Sequence, residues 1–360
     1  MKKFLIVNVL CLLGNMAILG SGIEYNGTKL SLNTEFSRSE IGETNKNDIT
    51  EVSGMACSRV TPGYFWVQND EGVENILALN QNGNKAMTLT LNGTTNRDDW
   101  EDLCVGEYNG NQYLFLGAFG DNDLEFNDNY IIYYFLEPEI KGSSASVNVE
   151  KITFGFPDNK AHNIETLMYD PIEEMFYIVD KVKKGKGVCT AYSLKFKTDY
   201  VGTQKLTEIC TMGQEGEDFD FITAGDISQD GHWIIVKNKK YALLWERQGN
   251  ESMSETLKRQ PMQIDAYEEE EQGEAIAWLD NTTIFTTSDS KSNTPIFKYV
   301  RNLSSIEMAE NTNELVLTAD CLVFDLSGQY ICNANELQSK HGVFIVCSKD
   351  LKQKSKIFLP

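Results

Sequence analysis

Apolar residues along this chain fall in short alternating or continuous runs rather than at the three-to-four spacing of an amphipathic helix, so the pattern predicts strands throughout. Five stretches share one plan: a small or acidic pair, an apolar residue, a turn rich in Gly, Asn, Asp or Pro, and an apolar strand with a polar end. They are "SGMACSRVTPGYFWVQND" from Ser53, "EDLCVGEYNGNQYLFLGAFGDN" from Glu101, "ETLMYDPIEEMFYIVDK" from Glu165, "GDISQDGHWIIVKNK" from Gly225 and "EAIAWLDNTTIFTTSD" from Glu274. The apolar third position is Met55, Leu103, Leu167, Ile227 and Ile276 in turn. Further strand-like runs follow each hairpin, such as "NILALN", "YIIYYFLE" and "YALLWER".

The repeat starts lie 48, 64, 60 and 49 residues apart, which suits four-stranded blades with some long loops. The last hairpin and the segment before Ser53 together leave about one blade's worth of chain, so the two ends share it. The expectation is an all-β five-bladed β-propeller over residues 23–303, closed by an N-terminal strand. Six blades are the alternative and need a further module. From residue 304 to 360 shorter alternating strands and a lysine-rich end predict a small C-terminal β-sandwich.

Residues 1–22 place two lysines before an apolar run and then small residues, the order of a secretory signal peptide. The expected protein is therefore exported: extracellular, at the outer surface or periplasmic. No later segment is apolar enough for a transmembrane span. The net charge is −21, and without Lys2 and Lys3 it is −23. Such a field argues against nucleic acid and anionic lipid and favours cations or neutral ligands. Beyond Cys11 the seven cysteines show no CxxC spacing and the three histidines are unpaired, which speaks against zinc. Cys189 and Cys210 fall on neighbouring strands, as a bridge or as free thiols.

In a propeller blade the innermost strand and the next run antiparallel, so the start of one and the end of the other reach the same face of the disc. That face should receive Ser53 with Asn69 and Asp70, Glu101 with Asp121, Glu165 with Lys181, Asp226 with Lys237, and Glu274 with Asp289. Glu101, Glu165, Asp226 and Glu274 are the candidate metal ligands, and their oxygen-only chemistry selects a hard ion, Ca²⁺ or Mg²⁺. Strand alternation forbids Glu101 and Asp102 from both facing the axis unless the strand is irregular there. Two other roles stay open: a water-filled channel with Lys181 and Lys237 as counter-charges, and acids that cap backbone N–H groups. Trp100, beside the candidate face, is positioned to stack on a sugar. The run "YEEEEQGE" from Tyr267 reads as a solvated loop that adds negative potential.

The motifs Ser53-Gly54, Asn69-Asp70 with Gly72, Asp99 to Asp102 ("DWED") and Gly117 to Asn122 ("GAFGDN") resemble an exported bacterial propeller family over roughly residues 50–290. That family has Asp where this chain has Ala118. A more distant likeness to gluconolactonase-type and phytase-type propellers implies metal-dependent hydrolysis of lactones or phosphate esters. The C-terminal "LVFDLSGQYI", "GVFIV" and "KSKIFLP" are similar to the type IX secretion sorting modules of Bacteroidota proteins, which implies a secretion-machinery partner. Because no nucleophile stands beside a base, the first expectation is a module that binds a glycan or small polar ligand at the acidic channel. The alternatives are a metal-dependent hydrolase (lactonase, phosphoesterase or glycosidase type) using the same carboxylates, and a protein-interaction scaffold.

Overall fold

The computed structural model describes residues 22–70, 75–95, 99–125, 129–183 and 185–302, together with four strands further on. The expected signal peptide lies outside the described residues. The chain divides into two compact units, residues 1–302 and 303–360.

The first unit is a five-bladed β-propeller. Blade 1 runs outward from Val52–Cys57 through Tyr64–Asn69, Asn75–Asn80 and Lys85–Asn92. Blade 2 follows with Trp100–Tyr108, Asn111–Ala118, Tyr130–Leu136 and Glu150–Gly155. Blade 3 comprises Ile164–Asp170, Met175–Asp180, Thr190–Lys195 and Thr207–Thr211, and blade 4 Ala224–Ile227, Trp233–Lys237, Ala242–Glu246 and Met262–Ile264. Blade 5 has Ala275–Trp278, Thr283–Thr287 and Pro295–Arg301, and takes its outermost strand, Phe36–Glu43, from the N-terminal side. The five innermost strands neighbour one another in a closed ring, the last returning to the first.

Strands lent between blades tighten this ring. Ser144–Asn148 adds in parallel to the edge of blade 1, Gln204–Lys205 to blade 2 and Ser31–Asn33 to blade 4. Each addition covers an edge that would otherwise offer unpaired N–H and C=O groups. The helix Met253–Leu257 is a single short turn with a capping box of Ser252 and Glu255.

Apolar side chains fill the spaces between blades. Phe115, Tyr169, Phe176 and Phe196 join blades 2 and 3, with the Phe115 ring centre 4.9 Å from each of the other three. Between blades 1 and 2 the inner strands approach so closely that a Cβ on Gly54 would lie 2.7 Å from the Asp102 Cα and the Leu103 nitrogen.

In the second unit Tyr330–Asn333, Leu322–Phe324, Gly342–Cys347 and Lys354–Leu359 form, in that order, one antiparallel sheet. The second layer that the expected sandwich requires is not among the described residues. No described helix is long and apolar enough to cross a membrane.

Candidate functional site

The starts of the inner strands are irregular in a repeated way. In blade 1 Val52 pairs with Asn69 but Gly54 with Gln68; in blade 2 Trp100 pairs with Ala118 but Asp102 with Gly117; in blade 3 Ile164 pairs with Asp180 but Thr166 with Val179. Ser53, Glu101 and Glu165 are thus the extra residues of three equivalent β-bulges. A bulge releases its residue from strand alternation and re-aims the side chain. This resolves the conflict between neighbours: Glu101 turns to the channel mouth while Asp102 turns between blades.

Around Glu101 three carboxylates converge. One oxygen from each of Asp70, Asp99 and Glu101 lies within 4.8 Å of the other two. Backbone bonds hold this triad: the Trp100 N–H donates to the Asp70 carbonyl at 3.2 Å, and the Phe119 and Gly120 N–H groups both donate to the Asp99 carbonyl. Ser53 Oγ donates to the Glu101 carbonyl at 2.8 Å and lies 3.2 Å from its Oε2. Gly120 leaves the space these acids occupy, since a Cβ there would meet Glu101 Oε1 and, at 2.5 Å, Asp99 Oδ2.

Lys181 organises the other half of the mouth. Its Nζ lies 2.6 Å from Glu165 and 3.8 Å from Glu274, with all three side chains largely buried. Asn163 Nδ2 donates to Glu165 Oε1, and its Oδ1 accepts from the Asp121 N–H. Glu165 also stands close enough to Glu101 for its charge to act on that carboxyl.

Asp70, Asp99, Glu101, Glu165, Glu274 and Asp289 face one another across the mouth with Lys181 as the ammonium among them. Burial, then Glu165, Asp70 and Asp99, push the Glu101 carboxyl well above its usual range. Glu165 is raised by burial, with Lys181 opposing and Glu274 adding. Burial and the neighbouring acids push Asp70 up to about 7 and Asp289 up to about 6. Burial alone would lower Lys181, but Glu165 and Glu274 outweigh it and hold the ammonium above its ordinary value.

The residues fit a hard divalent ion. Two oxygens that touch one Ca²⁺ at about 2.4 Å stand no more than about 4.8 Å apart, a span the triad meets. Among the described residues Asn69 Oδ1 and Asp289 Oδ1 are buried oxygens without a hydrogen-bond partner.

Several expected site residues lie elsewhere. Asp226 is no part of the cluster: its Oδ1 accepts from the Ile227 N–H at 2.8 Å and its Oδ2 from the Trp278 N–H of blade 5 at 2.7 Å. Asp102 does the same with the N–H groups of Leu103 and of Leu167 in blade 3. Both are clasps between blades, the capping role expected of some acids. Lys237 is fully buried, donates to the Gly273 carbonyl at 2.6 Å and lies 3.2 Å from Glu270. Glu270 itself is 3 % exposed, so part of the acidic loop folds inward instead of meeting water. Asp121 accepts from the Glu125 N–H and the Tyr130 hydroxyl, a loop-closing arrangement. Trp100 is 1 % exposed in the apolar cluster with Ala56, Trp66 and Leu103, where no sugar can stack on it. Cys189 and Cys210 are free thiols.

Asp99 is the cluster member that the repeat alignment passes over, because that alignment begins at Glu101. Its signal was present in the run Asp99 to Asp102, which sets a further carboxylate two residues before Glu101.

No protein-family model matches the sequence, and no curated protein matches it. Among solved structures, the Kuenenia stuttgartiensis hydrazine synthase is similar at a TM-score of 0.38 and 8% identity, over 68% of this chain and 82% of that one. A likeness of this degree is too distant to inform function.

Proposed function

We propose that the ring binds a divalent cation, Ca²⁺ or Mg²⁺, through Asp70, Asp99 and Glu101, and holds a polar ligand such as a glycan at that ion. The convergence of three carboxylates in the space left by Gly120 carries this reading. Three protein oxygens leave several positions of a six- to eight-fold shell to water or ligand hydroxyls. Lys181 offsets one of the two charges of Glu165 and Glu274, which favours the triad as the place for the ion. The lysines and apolar run of residues 1–22 support an exported setting, where calcium modules work with dissociation constants of about 0.1–1 mM.

One observation favours a second reading, a metal-dependent hydrolase: Glu165, a carboxyl raised by burial, stands beside the ligand Glu101, where a general acid would stand near the ion. Calorimetric titration of the chelator-treated protein with Ca²⁺ and Mg²⁺ tests both, followed by turnover of chromogenic esters, lactones and glycosides. Cation binding without turnover supports the binding module. Turnover that Glu101→Gln abolishes supports the hydrolase. Absence of any cation binding overturns both and leaves the scaffold.

A further inference from the structure

The most concentrated positive charge in this acidic chain borders the acidic mouth. Residues 181–186 carry four lysines and no acid, and residues 237–240 three lysines and no acid, although acids outnumber bases 53 to 32 overall. Both segments emerge from the second strands of adjacent blades, 3 and 4. They meet at Phe221, whose ring centre lies 4.6 Å from Lys181 Nζ, 5.6 Å from Lys239 Nζ and 6.0 Å from Lys183 Nζ. Phe221 adopts φ +52°, a left-handed backbone that a bulky side chain seldom takes, and its N–H donates to the Val182 carbonyl at 3.0 Å. The strained residue is therefore fastened to the lysine loop.

Beside it opens a pocket of about 310 Å³, lined among others by Lys181, Lys183, Lys186, His162, Asn163 and Phe221. Lys183 and Lys186 are exposed and have no carboxylate partner among the described residues. His162 forms a closed wall, its ring nitrogens held by Asp180 at 3.0 Å and Asp158 at 3.3 Å. Asn163 and Lys181 belong to both places, since they also bond Glu165. Asp180 also lines the pocket, but its oxygens are engaged by His162 and by the Thr190 N–H, so Lys183 and Lys186 stand there as uncompensated cations that an anion in the concavity would offset.

We propose that this pocket recognises an anionic group, carboxylate or phosphate, on the ligand held at the acidic mouth. The inference deepens the ligand-binding reading above and rests on it. The ligand class is thus a polar molecule with hydroxyls for the cation and one anionic group for Lys183 and Lys186.

The test is calorimetric titration of the full chain, with and without Ca²⁺, using glucose, glucuronate and glucose 6-phosphate as probes. Tighter binding of either anionic sugar than of glucose is expected, and the better of the two identifies carboxylate or phosphate. In the double variant Lys183→Gln/Lys186→Gln that preference should fall about tenfold or more, as for loss of charge-assisted hydrogen bonds. The Ca²⁺ isotherm of the variant should stay unchanged, which reports an intact ring. Equal affinity for all three sugars, or a preference that survives in the variant, overturns the inference. Failure of the full chain to bind Ca²⁺ while the anion preference persists overturns the cation reading instead.

Discussion

Calcium should stabilise this propeller in a way that depends on Asp99 and on pH. For residues 22–302 the unfolding entropy near 60 °C is about 0.6 kcal/mol/K. A cation at a hundredfold its dissociation constant adds about 2.7 kcal/mol. The expected rise in Tm at pH 8 is therefore about 5 °C. Burial and neighbouring acids hold Asp70 near 7, so at pH 5.5 the ion must displace a proton, which weakens binding about thirtyfold and leaves a rise of only about 1.5 °C. The metal-free protein should move the other way. Its raised carboxyls bind more protons folded than unfolded, so stability present below about pH 4 is lost as pH rises toward 7. Differential scanning fluorimetry at both pH values, on the natural chain and on Asp99→Asn, reads all of this. A calcium shift of equal size in the variant, or one larger at pH 5.5 than at pH 8, refutes the assignment of Asp70, Asp99 and Glu101 as ligands.

Three further outcomes follow from the surroundings of single residues. Asp226→Ala leaves two buried N–H groups, those of Ile227 and Trp278, without an acceptor and should cost about 2–4 kcal/mol in urea unfolding, while calorimetric Ca²⁺ binding persists. Gly120→Ala drives a methyl into Glu101 and Asp99, so Ca²⁺ binding should be lost while the far-ultraviolet circular dichroism of the ring remains. Lys237→Met strands the buried Glu270 and should cost about 3–5 kcal/mol in the same unfolding assay, a loss that Lys237→Met/Glu270→Gln partly restores.

The five hairpins were legible because each repeats the same apolar third position, from Met55 to Ile276, and because strand alternation needs no tertiary information. Glu101, Glu165 and Glu274 were legible at the mouth for the same reason. The bulges were not, since no residue type marks them, and they decide which of two adjacent acids faces the channel. Blade 4 shows the effect: Ala224–Ile227 pairs without a bulge, and its acid, Asp226, turns between blades like Asp102. Lys237 and Glu270 misled for another reason. Lysine and glutamate ordinarily meet water, and only the approach of residues 267–273 to the second strand of blade 4 makes them a buried pair.

The strand that seals the ring, Phe36–Glu43, is among the first parts of the propeller to be synthesised, whereas its partner Pro295–Arg301 is among the last. At about 5–20 residues per second, roughly 13–50 s separate the two on the ribosome. Throughout that interval the growing polypeptide is an open fan with a raw edge at either side. Nascent chains cut short before Arg301 should therefore be prone to stick to one another.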